Sequence, residues 1–341
     1  KDIDANGGID NRGSKFNGPI QMRVGANANS ALGFYDRLGI QGILTSTPEE
    51  LLFFNGFGEI PVSSEGTKLF ISTSFSKSKP GSTLKQFQIE GTSNSLTIRA
   101  SHPFVRSRGE NLNGYLGFTS RNSKTDLLNS NITTDRLRIL NIGAAYDFVD
   151  RHRGVNLISV DLAKGMDFMG ATGPGSANLS RADGRSDFTK LSGEILRLQQ
   201  LGLGLSFLTS FTWQYAFNVL LSSEEFGLGG SQLVRAYDPS EITGDHGSAI
   251  KMELQKGIKT DWSYLKSFQA YFYFDHGTVT IQNSTAVQKS SDSLTSTGLG
   301  VRANISEWLS GYLEVGQPLS GDVNAEGNSD PRFFFSLNAR Y

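Results

Sequence analysis

Two residues of this sequence are placed as if to meet. Arg235 lies in a Val-Arg-Ala-Tyr tetrapeptide (Val234 to Tyr237), inside the glycine-rich stretch GGSQLVRAYDPSEITGDHG that runs from Gly229 to Gly247. Asp275 lies near the end of YFYFDHG, which closes on Gly277. The chemistry on offer is a charge-assisted contact, in which the planar fork of arginine matches a carboxylate better than lysine does. Val234 and Tyr237 are apolar side chains in a segment otherwise suited to solvent, which suggests that the tetrapeptide packs inside something. On spacing alone, a solvated loop arginine beside an unrelated carboxylate stays open.

Other chemistry is weakly represented. Cysteine is absent, which excludes disulfides and a thiol nucleophile. The four histidines (His102, His152, His246, His276) are scattered without metal-ligand spacing. Asp2, Asp4, Asn6 and Asp10 imitate the start of a calcium loop, but Gly13 stands where a bidentate glutamate is needed. Asp322, Asn324 and Glu326 read as a solvated loop. No G-x-S-x-G elbow is present, and Gly227, Gly229 and Gly230 are not followed by the Gly-Lys-Ser/Thr of a phosphate loop. The expectation is therefore no enzyme, no metal and no cofactor.

The elements that must position Arg235 and Asp275 are strands. Phe268, Ala270, Phe272 and Phe274 alternate with Gln269, Tyr271, Tyr273 and Asp275, the period of two that puts one set on each face. Similar alternation occurs in Ile20–Asn29, Leu69–Phe75, Leu96–Ala100, Ile158–Leu162, Leu203–Trp213 and Arg332–Tyr341. No amphipathic helix of more than two turns is predicted. The class is all-β, as a soluble sandwich or as a transmembrane barrel with an apolar exterior and a polar bore.

Three features favour the barrel. The strands are about ten residues long, enough to cross a bilayer at a tilt. Brief turns near Phe34–Arg37, Ser63–Thr67, Asp150–Gly154, Leu201–Gly202 and Ser306–Leu309 alternate with long polar loops. Those loops are Asn129–Thr134, Gly170–Arg185, Ser222–His246, Thr280–Ser293 and Ser320–Pro331. Aromatics gather at the short-turn ends (Phe34, Tyr35, Tyr146, Phe148, Trp262, Tyr264, Trp308, Tyr312), as an interfacial girdle requires. About sixteen strands are predicted, with Ile3–Asn11 pairing with the strand that ends at Tyr341. Glycines on bore-facing positions would let a loop approach the wall.

The 341 residues are 37% hydrophobic and 19% charged with net charge −1, which gives no electrostatic reason to expect nucleic acid. Apolar clusters such as Leu51–Phe54 are too short for a transmembrane helix. No linker or repeat divides the chain, so residues 1–341 form one barrel, with 222–246 as a long loop.

The sequence resembles the barrel of two-partner secretion transporters, the haemolysin secretion/activation type. The resemblance runs through DNRGSKFNG (Asp10–Gly18), HPFVRSRGENL (His102–Leu112), RNSKTDLL (Arg121–Leu128), GGSQLVRAYD (Gly229–Asp238), GDHG (Gly244–Gly247) and FDHG (Phe274–Gly277) to a terminal aromatic, Tyr341. It implies a sixteen-stranded outer-membrane barrel into which the sixth extracellular loop folds back. Arg235 at the loop tip would then meet Asp275 on the thirteenth strand, near Gly277. The family usually has glycine where this chain has Ala236, which is tolerable if the backbone keeps an ordinary φ. The resemblance also implies periplasmic POTRA domains upstream, and often a plug helix. The expected function is export of an unfolded exoprotein by a monomer in outer-membrane lipid. A barrel-assembly insertase of the same superfamily, a passive porin-like channel and a soluble lectin-like sandwich are the alternatives.

Overall fold

The computed structural model describes residues 2–262, 265–283 and 290–341. In chain order come β1 (Ile3–Asp10), β2 (Gln21–Asn29), β3 (Arg37–Thr45), β4 (Leu51–Pro61), β5 (Lys68–Ser78) and β6 (Glu90–Arg106). Then follow β7 (Glu110–Leu127), β8 (Ser130–Val149), β9 (Val155–Gly165), β10 (Thr189–Gly202), β11 (Leu205–Ala216), and the short β12 (Phe226–Leu228) and β13 (Ile242–Gly244). The chain ends with β14 (His246–Trp262), β15 (Leu265–Thr280), β16 (Ser291–Asn304), β17 (Leu309–Pro318) and β18 (Arg332–Arg340). Sixteen of these close an antiparallel barrel in which each strand pairs with the next. β11 pairs directly with β14, and β1 closes onto β18 with Asp10 opposite Ser336. Closure removes free sheet edges, the condition for crossing a membrane with strands. β12 and β13 form a separate two-stranded hairpin.

The alternation in the sequence becomes an inside-out barrel. Val24, Ile40, Phe54, Ile71, Ile98, Leu116, Ile142, Val160, Phe272 and Leu299 are exposed on the outer surface. The inner face carries hydroxyls that bond across strands: Ser74 with Ser95 at 2.8 Å, Ser93 with Ser123 and Thr97 with Thr119 at 3.1 Å. A two-sheet sandwich with a shared apolar core is excluded by this arrangement.

The connections at the rim holding the termini are short: 30–36, 62–67, 107–109, 150–154, 203–204 and 305–308. Opposite them lie 11–20, 79–89, 166–188, 217–245 and 319–331. One expectation changes at each rim. Asn129–Thr134 is not a loop, because Leu128 (φ 49°) and Asn129 (φ 62°) make a two-residue hairpin turn and the ladder resumes at Ser130. Leu201–Gly202 is still strand, and the turn falls at Leu203 and Gly204. The predicted loop Thr280–Ser293 lies partly outside the described residues.

Phe34, Tyr35 and Trp308 are exposed at the short-turn rim, and Tyr146 stacks on Phe148 with ring centroids 4.9 Å apart. Tyr312 does not join them. It faces the bore, where its hydroxyl accepts from Arg12 Nε at 2.9 Å. Tyr264 lies outside the described residues. Among the described residues the only helices are 3-10 turns at Ser82–Phe87 and Ser222–Glu224.

Candidate functional site

Connection 217–245 turns back into the barrel. Its hairpin packs Phe226, Leu228, Val234 and Tyr237 against Ala249 of β14, Val279 of β15 and Leu294 of β16, with Val323 from connection 319–331 closing the cluster. Wall glycines make room. A β-carbon at Gly277 would strike the Leu228 side chain, and one at Gly298 or Gly300 would strike the Tyr273 or Tyr271 ring. At Gly316 it would meet both Tyr273 and Ala236. The tyrosines of β15 therefore lie flat across β16, and the loop tip lies flat on them.

Arg235, 2% exposed, reaches the wall at this point. Its Nε donates to Asp275 Oδ2 at 2.8 Å and its Nη2 to Asp275 Oδ1 at 2.9 Å, the bidentate fork. Its backbone N–H adds a bond to Asp275 Oδ2 at 3.2 Å. Nη1 donates to a second carboxylate, Glu253 of β14, at 2.5 Å. The guanidinium sits 3.7 Å above the Tyr273 ring centroid, a cation–π placement. β15 is the thirteenth barrel strand in chain order.

The sequence reading missed several members of this network. Glu253 also accepts from both terminal nitrogens of Arg302, at 2.6 and 3.0 Å. The Arg235 carbonyl accepts from Arg12 Nη1 at 2.9 Å, and Arg12 Nη2 in turn meets Glu314 Oε1 at 2.7 Å. The Ala236 carbonyl accepts from Arg332, which also binds Asp238 at 2.6 Å. The signal for Glu253 was present, since Lys251, Glu253 and Gln255 alternate with Ile250, Met252 and Leu254. Arg12 carried none, because its contacts span most of the chain.

The tetrapeptide backbone departs from expectation in one respect. Ala236 keeps an ordinary φ, so its β-carbon is unstrained, while Val234 adopts φ 58°. A β-branched residue in the left-handed region costs on the order of 1–3 kcal/mol, and surrounding contacts must enforce it. Here they are the fully buried Val234 side chain and the N–H of Arg235 on Asp275. Tyr273 Oη, Ser296 Oγ and Asp238 Oδ2 are buried with no hydrogen-bond partner among the described residues. Each such atom opposes docking by about 1–3 kcal/mol. The loop is thus firmly anchored and partly strained at once.

The family model described as "Haemolysin secretion/activation protein ShlB/FhaC/HecB" matches residues 1–303. The chain belongs to this family. It is accordingly an outer-membrane β-barrel of the two-partner secretion transporters, a transport class rather than an enzyme class. Similar solved structures include CdiB from Escherichia coli (20% identity, TM-score 0.86) and CdiB from Acinetobacter baumannii (20%, 0.76). Each is covered over 100% of this chain, which spans 63% and 60% of theirs. BamA from Haemophilus ducreyi lacking POTRA domains 1–3 is similar at 11% identity and TM-score 0.70, over 100% of this chain and 70% of that one. No curated protein sequence matches.

A second cluster in this member of the family caps the bore at the long-loop rim. Leu220 and Leu221 of connection 217–245 pack with Phe188, Leu137, Ile139, Ala163 and Ala216. Arg181 donates to both oxygens of Asp245, at 2.7 and 3.0 Å, and Asp245 also accepts from the Leu220 and Gln282 N–H groups. Burial alone raises the Asp245 carboxyl pKa, yet these donors hold it below its ordinary value. Burial pushes neighbouring Glu225 upward. The four histidines make no cluster with carboxylates that could hold a metal among the described residues.

Proposed function

We propose that this barrel exports an unfolded, large exoprotein from the periplasm to the cell surface in two-partner (type V) secretion. The observation that carries the reading is a returning hairpin lodged in a polar bore and anchored by one arginine to two wall carboxylates, in a chain of a secretion/activation family. In this reading the short-turn rim is periplasmic, POTRA domains precede the barrel, and a monomer sits in outer-membrane lipid. The exoprotein is the partner, and its folding at the surface makes transit directional, with no nucleotide chemistry in the protein.

Arg235, Asp275 and Glu253 act as a latch that sets the loop, with Val234, Ala236 and Tyr237 as its packed tip. Lined on one side by this loop, the bore keeps its hydroxyl-rich wall for an extended chain, whose backbone groups find acceptors and donors there without a fixed sequence. The test compares secretion by wild type, Arg235→Ala and Asp275→Ala at matched levels of heat-modifiable barrel. Depressed secretion of one large exoprotein supports the reading, and equal secretion removes the latch from it. Loss of many outer-membrane proteins on depletion would instead identify an insertase.

A further inference from the structure

The outward face of β7, β8 and β9 changes character along one line. Below it stand Leu116 and Phe118, Leu140 and Ile142, and Val160 and Leu162. At the next outward position on each strand come Ser120, Arg138 and Lys164, with Arg136 one step further along β8. Leu140 is paired with Phe118 and with Lys164, so at strand spacings Arg138 stands about 7–8 Å from Lys164 and about 7 Å from Arg136, with Arg136 and Lys164 about 14 Å apart at the two ends of the row.

None of the three makes an ion pair with a carboxylate among the described residues, although the Asp187 carboxylate is near enough to feel the Lys164 charge. Arg138 is only 7% exposed, and its acceptors are all neutral: the carbonyls of Met169 (3.2 Å), Arg121 (3.4 Å) and Leu137 (2.7 Å), and Asn122 Oδ1 (3.0 Å). They engage Nε and Nη1, leaving Nη2 without an acceptor among the described residues. The exposed Arg136 side chain makes no hydrogen bond or ion pair there. Lys164 donates to the Asp187 carbonyl at 2.9 Å and to Thr189 Oγ1 at 3.1 Å, while the Asp187 carboxylate is taken by Arg185. Elsewhere on the outward face the pattern differs, since Lys77 and Lys79 are both neutralised by Glu90. Unpaired cations at the edge of a lipid-facing surface are costly unless an anion is supplied from outside.

An apolar shelf adjoins the cations. Phe168 packs beside Phe118 at 5.9 Å between centroids, and Phe168, Met169 and Leu140 are exposed. A ligand with a phosphate at one end and acyl chains at the other matches both halves. We propose that Arg136, Arg138 and Lys164 bind the phosphate of an outer-leaflet phosphoglycolipid whose chains lie along Phe118, Leu140 and Phe168. Arginine supplies paired donors to phosphate oxygens, and basic clusters beside membrane spans select phosphorylated headgroups. The site rests on the outer-membrane location and on the orientation proposed above, with the long-loop rim outside.

The test uses the full-length protein in detergent, with bisphosphorylated lipid A, the same lipid without phosphate, and inorganic phosphate as probes. Native mass spectrometry or a fluorescent lipid competition reads binding. Wild type is expected to prefer the phosphorylated lipid, Arg136→Gln to weaken it about fivefold, and Arg136→Gln with Arg138→Gln about thirtyfold. Lys77→Gln, at a cation already paired, leaves binding unchanged. Should Arg138→Gln fail to give a heat-modifiable barrel, Arg136→Gln decides alone, because Arg136 has no side-chain partner to lose. Equal binding by wild type and the arginine variants, equal binding of the phosphate-free lipid, or displacement by inorganic phosphate as effective as by lipid would each overturn the site. Secretion defects do not enter this assay, so export and lipid binding can fail separately.

Discussion

Arg235→Ala should release the loop, and the structure sets the size of the effect. Glu253 keeps both Arg302 bonds when Arg235 is truncated, so it stays satisfied. Asp275 does not: it is fully buried, and among the described residues its side chain bonds only to Arg235, through two guanidinium contacts and one backbone contact. Removing one partner of a buried pair costs about 3–5 kcal/mol, and a neighbouring aqueous bore places this case at the low end, about 3 kcal/mol. That corresponds to roughly a hundredfold increase in the undocked population. The chain has no cysteine, so a single introduced thiol is a clean reporter. Ser296 suits it: it pairs with Asp275 across β15 and β16, is fully buried, and its hydroxyl bonds to nothing among the described residues, so Ser296→Cys sacrifices no hydrogen bond. Labelling by a small water-soluble maleimide should be slow with Arg235 present and roughly a hundredfold faster in Arg235→Ala. Asp275→Asn, which keeps the Glu253 contact, should fall between. Rates within threefold of each other would refute the view that this arginine holds the loop down.

Tyr273→Phe keeps the ring under the guanidinium and deletes a buried hydroxyl with no partner, so it should slow Ser296→Cys labelling by about fivefold. Gly298→Val drives a side chain into the Tyr273 ring and should lower the unfolding temperature of the barrel by the equivalent of about 1–3 kcal/mol, measured by heat modifiability. The cap should depend on pH. Asp245 has its folded pKa below the ordinary 3.8, so its stabilisation is present above that value and is lost as pH falls through the lower folded one. Glu225, shifted upward from 4.5 by burial, acts oppositely and favours the folded cap as it takes up its proton. Hydrogen exchange of residues 217–225, corrected for intrinsic rates, should therefore show protection held or raised on acidification to about pH 4 and lost below about 3.8.

Strand alternation made the barrel legible, because lipid outside and water inside impose the same period on every spanning segment. Leu140 and Ile142 against Asn141 and Gly143 say as much as any structure. The residues made the meeting of Arg235 with Asp275 a candidate, through a buried-type tetrapeptide and a polar wall position, but spacing alone left it open and the family resemblance supplied the pairing. Glu253 was hidden by its ordinariness as one of several polar residues on an inner face, and only the fold shows that the fork reaches it as well. The tip at Leu128 and Asn129 was misread because polar residues above the membrane belt look like loop even while their backbone ladder continues. Phe188 and Leu220 meet in the cap through tertiary packing alone, and no local pattern announces it. The place of Tyr312 inside the bore follows from the parity of β17, which outweighs its aromatic character.

The most direct test of export through the bore is site-specific photocrosslinking in cells with the exoprotein arrested in transit. A photoreactive residue at Ser95, on the inner wall, should capture a large exported polypeptide, whereas one at Ile98, on the outer surface of the same strand, should not. Capture from Ile98 as strong as from Ser95, or none from Ser95 at full barrel levels, would contradict passage through this barrel.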